Sequence, residues 1–204
     1  MAALNFNINS ENAIVWADSE VRDAFTGDIW RANKVVCIPH LNLIVACTGF
    51  GELLARWVGF LNYKHGAVDI NSLDKYVTQA LQEIWRSIND FIPASLNQAV
   101  TVYHFGFAKT ESDHVMRAYA YRSTNEFKSE FIRGGLMVEP DLPENFAYRF
   151  PEDMLAMVQA QADNQLRPEV ETKVHIGGEV VCTTLDRQGF TISTLGRINA
   201  VTGG

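Results

Sequence analysis

AIVWADSEVRDAFTGDIWRANKVVCIPHLNLIVACTGFGELLARWVGFL, residues Ala13 to Leu61, holds the reading of the fold. Ala13–Ala17 and Leu43–Cys47 are too short and too rich in β-branched residues for helices. They read as strands buried on both faces. A third run, Val35–Ile38, carries Lys34 at its head. Gly49 and Gly51 open a helix, because Leu54, Trp57, Val58 and Leu61 fall on one helical face.

The chain before and after this stretch supplies more of the same elements. Leu4, Phe6 and Ile8 alternate with Asn5, Asn7 and Asn9, the pattern of a half-buried strand. A turn at Asn9–Asn12 joins it to the strand from Ala13. A second helix is predicted from Leu73 through Tyr76, Val77, Ala80, Leu81, Ile84, Trp85, Ile88 and Phe91 to Ile92, capped by Asn71 or Ser72 and stopped by Pro93. Gly66, after His65, is the expected cap of the first helix. Gln98–Ala108 and Val115–Ser123 read as paired strands, and Phe127–Val138 as a third, interrupted at Gly134-Gly135. Pro151 suits the start of a third helix running to about Leu166. Lys173–Leu185 and Phe190–Leu195 form a last hairpin around Asp186–Gly189. The expectation is one α+β domain over residues 1–204.

Composition limits the function. Of 204 residues, 47% are hydrophobic and 20% charged, which supports a sizeable core and excludes global disorder. The net charge of −7, without a basic stripe, argues against nonspecific nucleic-acid binding. No apolar run reaches the ~20 residues that span a bilayer. Cys37, Cys47 and Cys182 lie in apolar runs, an odd number of expected free thiols, which points to a reducing, cytoplasmic setting or a particle assembled inside the cell. His40, His65, His104, His114 and His175 show no paired ligand spacing, so no metal is expected, and no cofactor. Gly49-Phe50-Gly51 lacks the third glycine of a dinucleotide turn.

The order of strand, Ala-Asp-Ser, polar excursion, lysine-headed strand, strand ending in Thr-Gly and amphipathic helix resembles the first quarter of proteasome-type β subunits of the N-terminal-nucleophile (Ntn) hydrolases. That resemblance implies a four-layer αββα sandwich. It places Asp18 at the family's acidic residue, Lys34 at its catalytic lysine and Gly49 at its oxyanion glycine. In such enzymes the first residue of the mature chain attacks a carbonyl while its own amine takes the proton. A lysine favours the developing anion and an aspartate orients that lysine. Here the nucleophile position falls at Ala2 or Ala3, with neither hydroxyl nor thiol. Ser10 is the next hydroxyl, but it sits in the first hairpin turn. FIRGGLMVEP and VHIGGEVVCTT replace the stretches where the family keeps a supporting serine and aspartate.

The resemblance therefore implies a non-catalytic structural subunit of a homo-oligomeric ring or larger particle, self-associating or joining other protein subunits, away from membranes and nucleic acid. The alternative is an active peptidase or amidohydrolase with a non-standard nucleophile, Ser10 or Thr48. Asp18 as a turn cap, Lys34 as a surface lysine and Gly49 as a plain turn glycine are the ordinary readings of the same residues.

Overall fold

The computed structural model describes residues 3–23, 26–63, 66–90, 99–109, 114–170 and 173–198. Among them the order is β1 (Leu4–Ile8), β2 (Ala13–Asp18), β3 (Glu20–Arg22), β4 (Ile29–Arg31), β5 (Val35–Ile38), β6 (Leu43–Thr48), α1 (Gly51–Leu61), α2 (Ile70–Asn89), β7 (Thr101–Lys109), β8 (His114–Arg122), β9 (Ser129–Phe131), β10 (Gly135–Glu139), α3 (Met154–Asn164), β11 (Gly178–Asp186) and β12 (Gly189–Ile198).

All strand pairings among the described residues are antiparallel. One sheet runs β10-β1-β2-β11-β12, another β5-β6-β7-β8-β9, and β3-β4 is a separate hairpin. The alternation in the sequence decides which side of each sheet is dry. Leu4, Phe6 and Ile8 face Ile44, Ala46, Tyr103, Phe105 and Ala118 across the space between the two large sheets. On the other side of β6, Leu43, Val45 and Cys47 meet Leu53, Trp57, Leu73 and Val77 of α1 and α2. Trp16, Val180 and Cys182 point away from the inter-sheet core and meet Met157 and Val158 of α3.

The expected four-layer αββα sandwich is corrected. The molecule is a mostly antiparallel, three-sheet protein with three helices among the described residues. The outer face of the first sheet carries a single 11-residue helix in place of a helix layer. Its remaining cover is the irregular stretch 140–153, which contributes Leu142, Phe146 and Phe150. Pro140 and Pro143 disfavour a helix where this stretch begins, since proline removes a backbone donor and clashes in a helix interior, and α3 starts at Met154, three residues after Pro151.

Other expectations move at their edges. Asp69, not Asn71 or Ser72, caps α2: Ser72 N–H donates to Asp69 Oδ1 at 2.8 Å, and Ser72 Oγ accepts from Asp69 N–H at 3.0 Å. Asn62, not Gly66, closes α1. His65, Phe91, Ile92 and Pro93 lie outside the described residues. Phe127–Val138 is two strands in different sheets. β9 pairs with β8 and β10 with β1, so the chain crosses between sheets at Ile132–Gly134. Gly134 is needed there, because a Cβ would stand 2.9 Å from the Ile8 carbonyl oxygen. Within the polar excursion, Ile29–Arg31 form β4, which pairs with β3 as a hairpin.

His104 is fully buried on β7, where its Nε2 accepts from Trp57 Nε1–H at 2.8 Å. Burial pushes its pKa down to about 3. Below the ordinary value near 6.5, the unfolded chain takes up a proton that the folded chain refuses, so stability falls with falling pH. This group alone removes about 2 kcal/mol between pH 6.5 and 5. Replacing His104 with Gln keeps an acceptor for Trp57. We expect urea unfolding of that variant to show a pH slope shallower by about 1 kcal/mol per unit over this range.

Candidate functional site

The ends of β2 and β6 and the starts of β1 and β5 meet at one mouth of the sheet pair. Asp18 closes β2 and Lys34 precedes β5, and the structure brings them together. Lys34 Nζ donates to Asp18 Oδ1 at 2.7 Å, with side-chain exposures of 7% and 0%. The carboxylate has two further donors. Ala3 N–H reaches Oδ1 at 3.0 Å and Gly177 N–H reaches Oδ2 at 2.9 Å. Asp18 is thus a buried junction of four chain segments. It is not a turn cap, nor is Lys34 a surface lysine.

Burial lowers the Lys34 pKa below its ordinary value, while the Asp18 and Glu20 carboxylates oppose that shift. Its ammonium is held by Asp18, with a small cleft beside it lined by Ala17, Ser19, Ala32, Asn33 and Val181. The Lys34 carbonyl accepts from Cys47 N–H at 3.3 Å, which sets the head of β5 against the end of β6. Gly49 stands two residues further on, at the turn from β6 into α1, with φ +96°. A Cβ there would lie 2.7 Å from the Ala99 carbonyl oxygen, so the turn requires glycine.

Neither expected nucleophile position, Ala2 or Ala3, brings a hydroxyl or thiol to the group. Ala3 is buried and contributes only its amide, and Ala2 lies outside the described residues. Ser10 is exposed at the far end of β1, a strand of five residues and so about 17 Å long. Cys47 points toward α1, and burial pushes its thiol up to about 12, far from a thiolate at neutral pH.

A second polar cluster lies at this mouth and was not legible from the sequence. Glu139, at the end of β10, accepts from Tyr103 O–H at 2.7 Å on Oε2, and its Oε1 lies 3.5 Å from Thr48 Oγ1. Burial first, and Glu139 next, raise the Tyr103 pKa above its ordinary value. The three residues stand far apart in the chain, and only the crossing at Gly134 puts β10 beside β1. No local spacing could have signalled them.

No protein-family model and no curated protein matches the chain. Among solved structures the fold is similar to that of the Anbu (Gly-1) mutant from Hyphomicrobium sp. strain MC1, with 14% identity, a TM-score of 0.59, and 98% of this chain and 87% of that one covered. It is also similar to Anbu, described as an ancestral β-subunit, from Yersinia bercovieri, with 12% identity, a TM-score of 0.55, and 99% and 88% covered. At these identities the likeness is one of fold. The resemblance to proteasome-type β subunits themselves is corrected accordingly. The similar structures named above are Anbu, one of them described as an ancestral β-subunit, and no family model supports membership among the proteasome subunits. No helix among the described residues is long and apolar enough to cross a membrane.

Proposed function

We propose that this chain is a non-catalytic protein with the ancestral β-subunit fold, acting as a structural subunit of a homo-oligomeric ring or larger particle. The observation that carries the reading is alanine at both positions where the nucleophile belongs, Ala2 and Ala3. The surroundings support it. Asp18 ties Lys34 to two backbone amides in a buried junction, a structural use of both side chains. Gly49 has a steric reason to be glycine without an oxyanion. A net charge of −7 without a basic stripe disfavours nucleic acid as the partner.

The test is an intact mass before and after incubation with an epoxyketone or β-lactone, together with a native mass at micromolar concentration. We expect no adduct and a multiple of the monomer mass. A stoichiometric adduct, or a monomer alone, overturns the proposal.

The contact between Thr48 Oγ1 and Glu139 Oε1 favours one second reading, a hydrolase of peptide or amide bonds that uses Thr48 as nucleophile and Glu139 as base. An adduct mapped to Thr48 would support it. Turnover that survives Thr48→Ala would remove it.

A further inference from the structure

Four strand edges border the two large sheets, and three are short. β9 has three residues, β5 has four, and β10 has five with Pro140 directly after it. Short edges and flanking prolines are ordinary defences against unwanted pairing. The fourth edge has no such defence. β12 runs ten residues, its inner side is paired to β11 at every residue but Leu195, and no described residue pairs with its outer side. From Gly189 to Gly196 it reads GFTISTLG, without a charge or a proline. Thr191, Ile192, Ser193 and Thr194 are exposed in succession, and Ile192 is 62% exposed.

We infer that the outer edge of β12 pairs antiparallel with the same edge of a second copy of this chain, fusing two five-stranded sheets into one. The inference deepens the assembly reading above and rests on it. Three features select a second copy over an extended peptide. Antiparallel pairing of identical strands is self-complementary, so it closes about a twofold axis. Pairing two β12 edges removes both exposed edges at once, whereas an added peptide only moves the edge outward. Each copy also carries a net charge of −7, which opposes contact between most surfaces, while Gly189–Gly196 brings no like charges to the seam.

The bulge at Val180/Val181 and the packing of Leu155 over Gly196 bend and cover the far end of the strand. The usable seam is therefore the stretch before Gly196. At its centre Ile192 lies within direct or diagonal reach of the partner strand and is shielded from water by it.

The test is native mass spectrometry and analytical ultracentrifugation of the full chain carrying Ile192→Lys. The side chain is exposed, so the monomer fold is expected to survive, with unchanged circular dichroism and urea midpoint. We expect dissociation of the twofold unit to become easier by about tenfold or more. Mixing Ile192→Lys with Ile192→Glu should restore the pairing. If the folded Ile192→Lys variant keeps the wild-type mass and dissociation, the β12 seam is overturned while assembly stands. If the wild-type chain is a monomer, both are overturned.

Discussion

Replacing Asp18 with Ala is expected to cost about 3–5 kcal/mol of folding stability, measured by urea denaturation at neutral pH. The magnitude follows from what the carboxylate holds. Its removal leaves the Lys34 ammonium, 7% exposed, without its partner, and the amides of Ala3 and Gly177 without their acceptor. An uncompensated buried charge is far more costly than the ion pair is favourable. A second substitution separates charge from packing. Asp18→Ala with Lys34→Met should be more stable than Asp18→Ala alone, because the stranded charge is gone.

pH supplies an independent check with a definite sign. In Asp18→Ala the folded-state pKa of Lys34 falls further below its unfolded value. The unfolded chain then holds more protons at high pH, so the deficit relative to wild type should shrink as pH rises. A loss below about 1 kcal/mol in Asp18→Ala would mean that the junction is not closed as described.

The second large effect is expected at Gly49. Gly49→Ala should destabilise by about 3 kcal/mol, combining an unfavourable φ with a steric clash. The residue sits at φ +96°, and its Cβ would lie 2.7 Å from the Ala99 carbonyl oxygen and 2.9 Å from Val100 Cγ2. Neither neighbour yields easily, since one is backbone and the other belongs to a fully buried valine. Gly51 is the internal control. It opens α1, and an added methyl group would meet nothing within 4 Å, so Gly51→Ala should be neutral or stabilising by up to about 1 kcal/mol. Equal behaviour of the two alanine variants in thermal unfolding would refute the geometry of this turn.

The elements legible in the sequence were those whose burial is written locally. β2 and β6 are unbroken apolar runs, and α2 repeats its apolar face over 20 residues. The β3–β4 hairpin was not legible, because Ile29, Trp30 and Arg31 are all exposed and impose no alternation. Phe127–Val138 read as one strand because periodicity reports which face is dry, not which sheet a strand joins. The α2 cap was missed because a buried Asp69, which also accepts from Lys109 N–H at 2.9 Å, outcompetes its polar neighbours. At the mouth, Asp18 and Lys34 were found through the family resemblance. The amides that complete the junction come from Ala3 and Gly177, whose side chains carry no polar signal.

The crossing at Gly134 also orders events in time. The β5–β9 sheet uses one unbroken stretch of chain, from Val35 to Phe131, joined by neighbouring strands. The other large sheet gathers its strands from the beginning, middle and end of the chain. As the polypeptide leaves the ribosome, the first of these sheets can complete its ladder while the β1–β2 hairpin still lacks β10 and β11. Until residue 186 is made, Trp16 has neither Cys182 beside it nor its full cover. Low-contact-order regions mature early and long-range closure comes late. A nascent chain halted after Phe131 would therefore present a finished half and an adhesive one, and that interval is when chaperone engagement should concentrate.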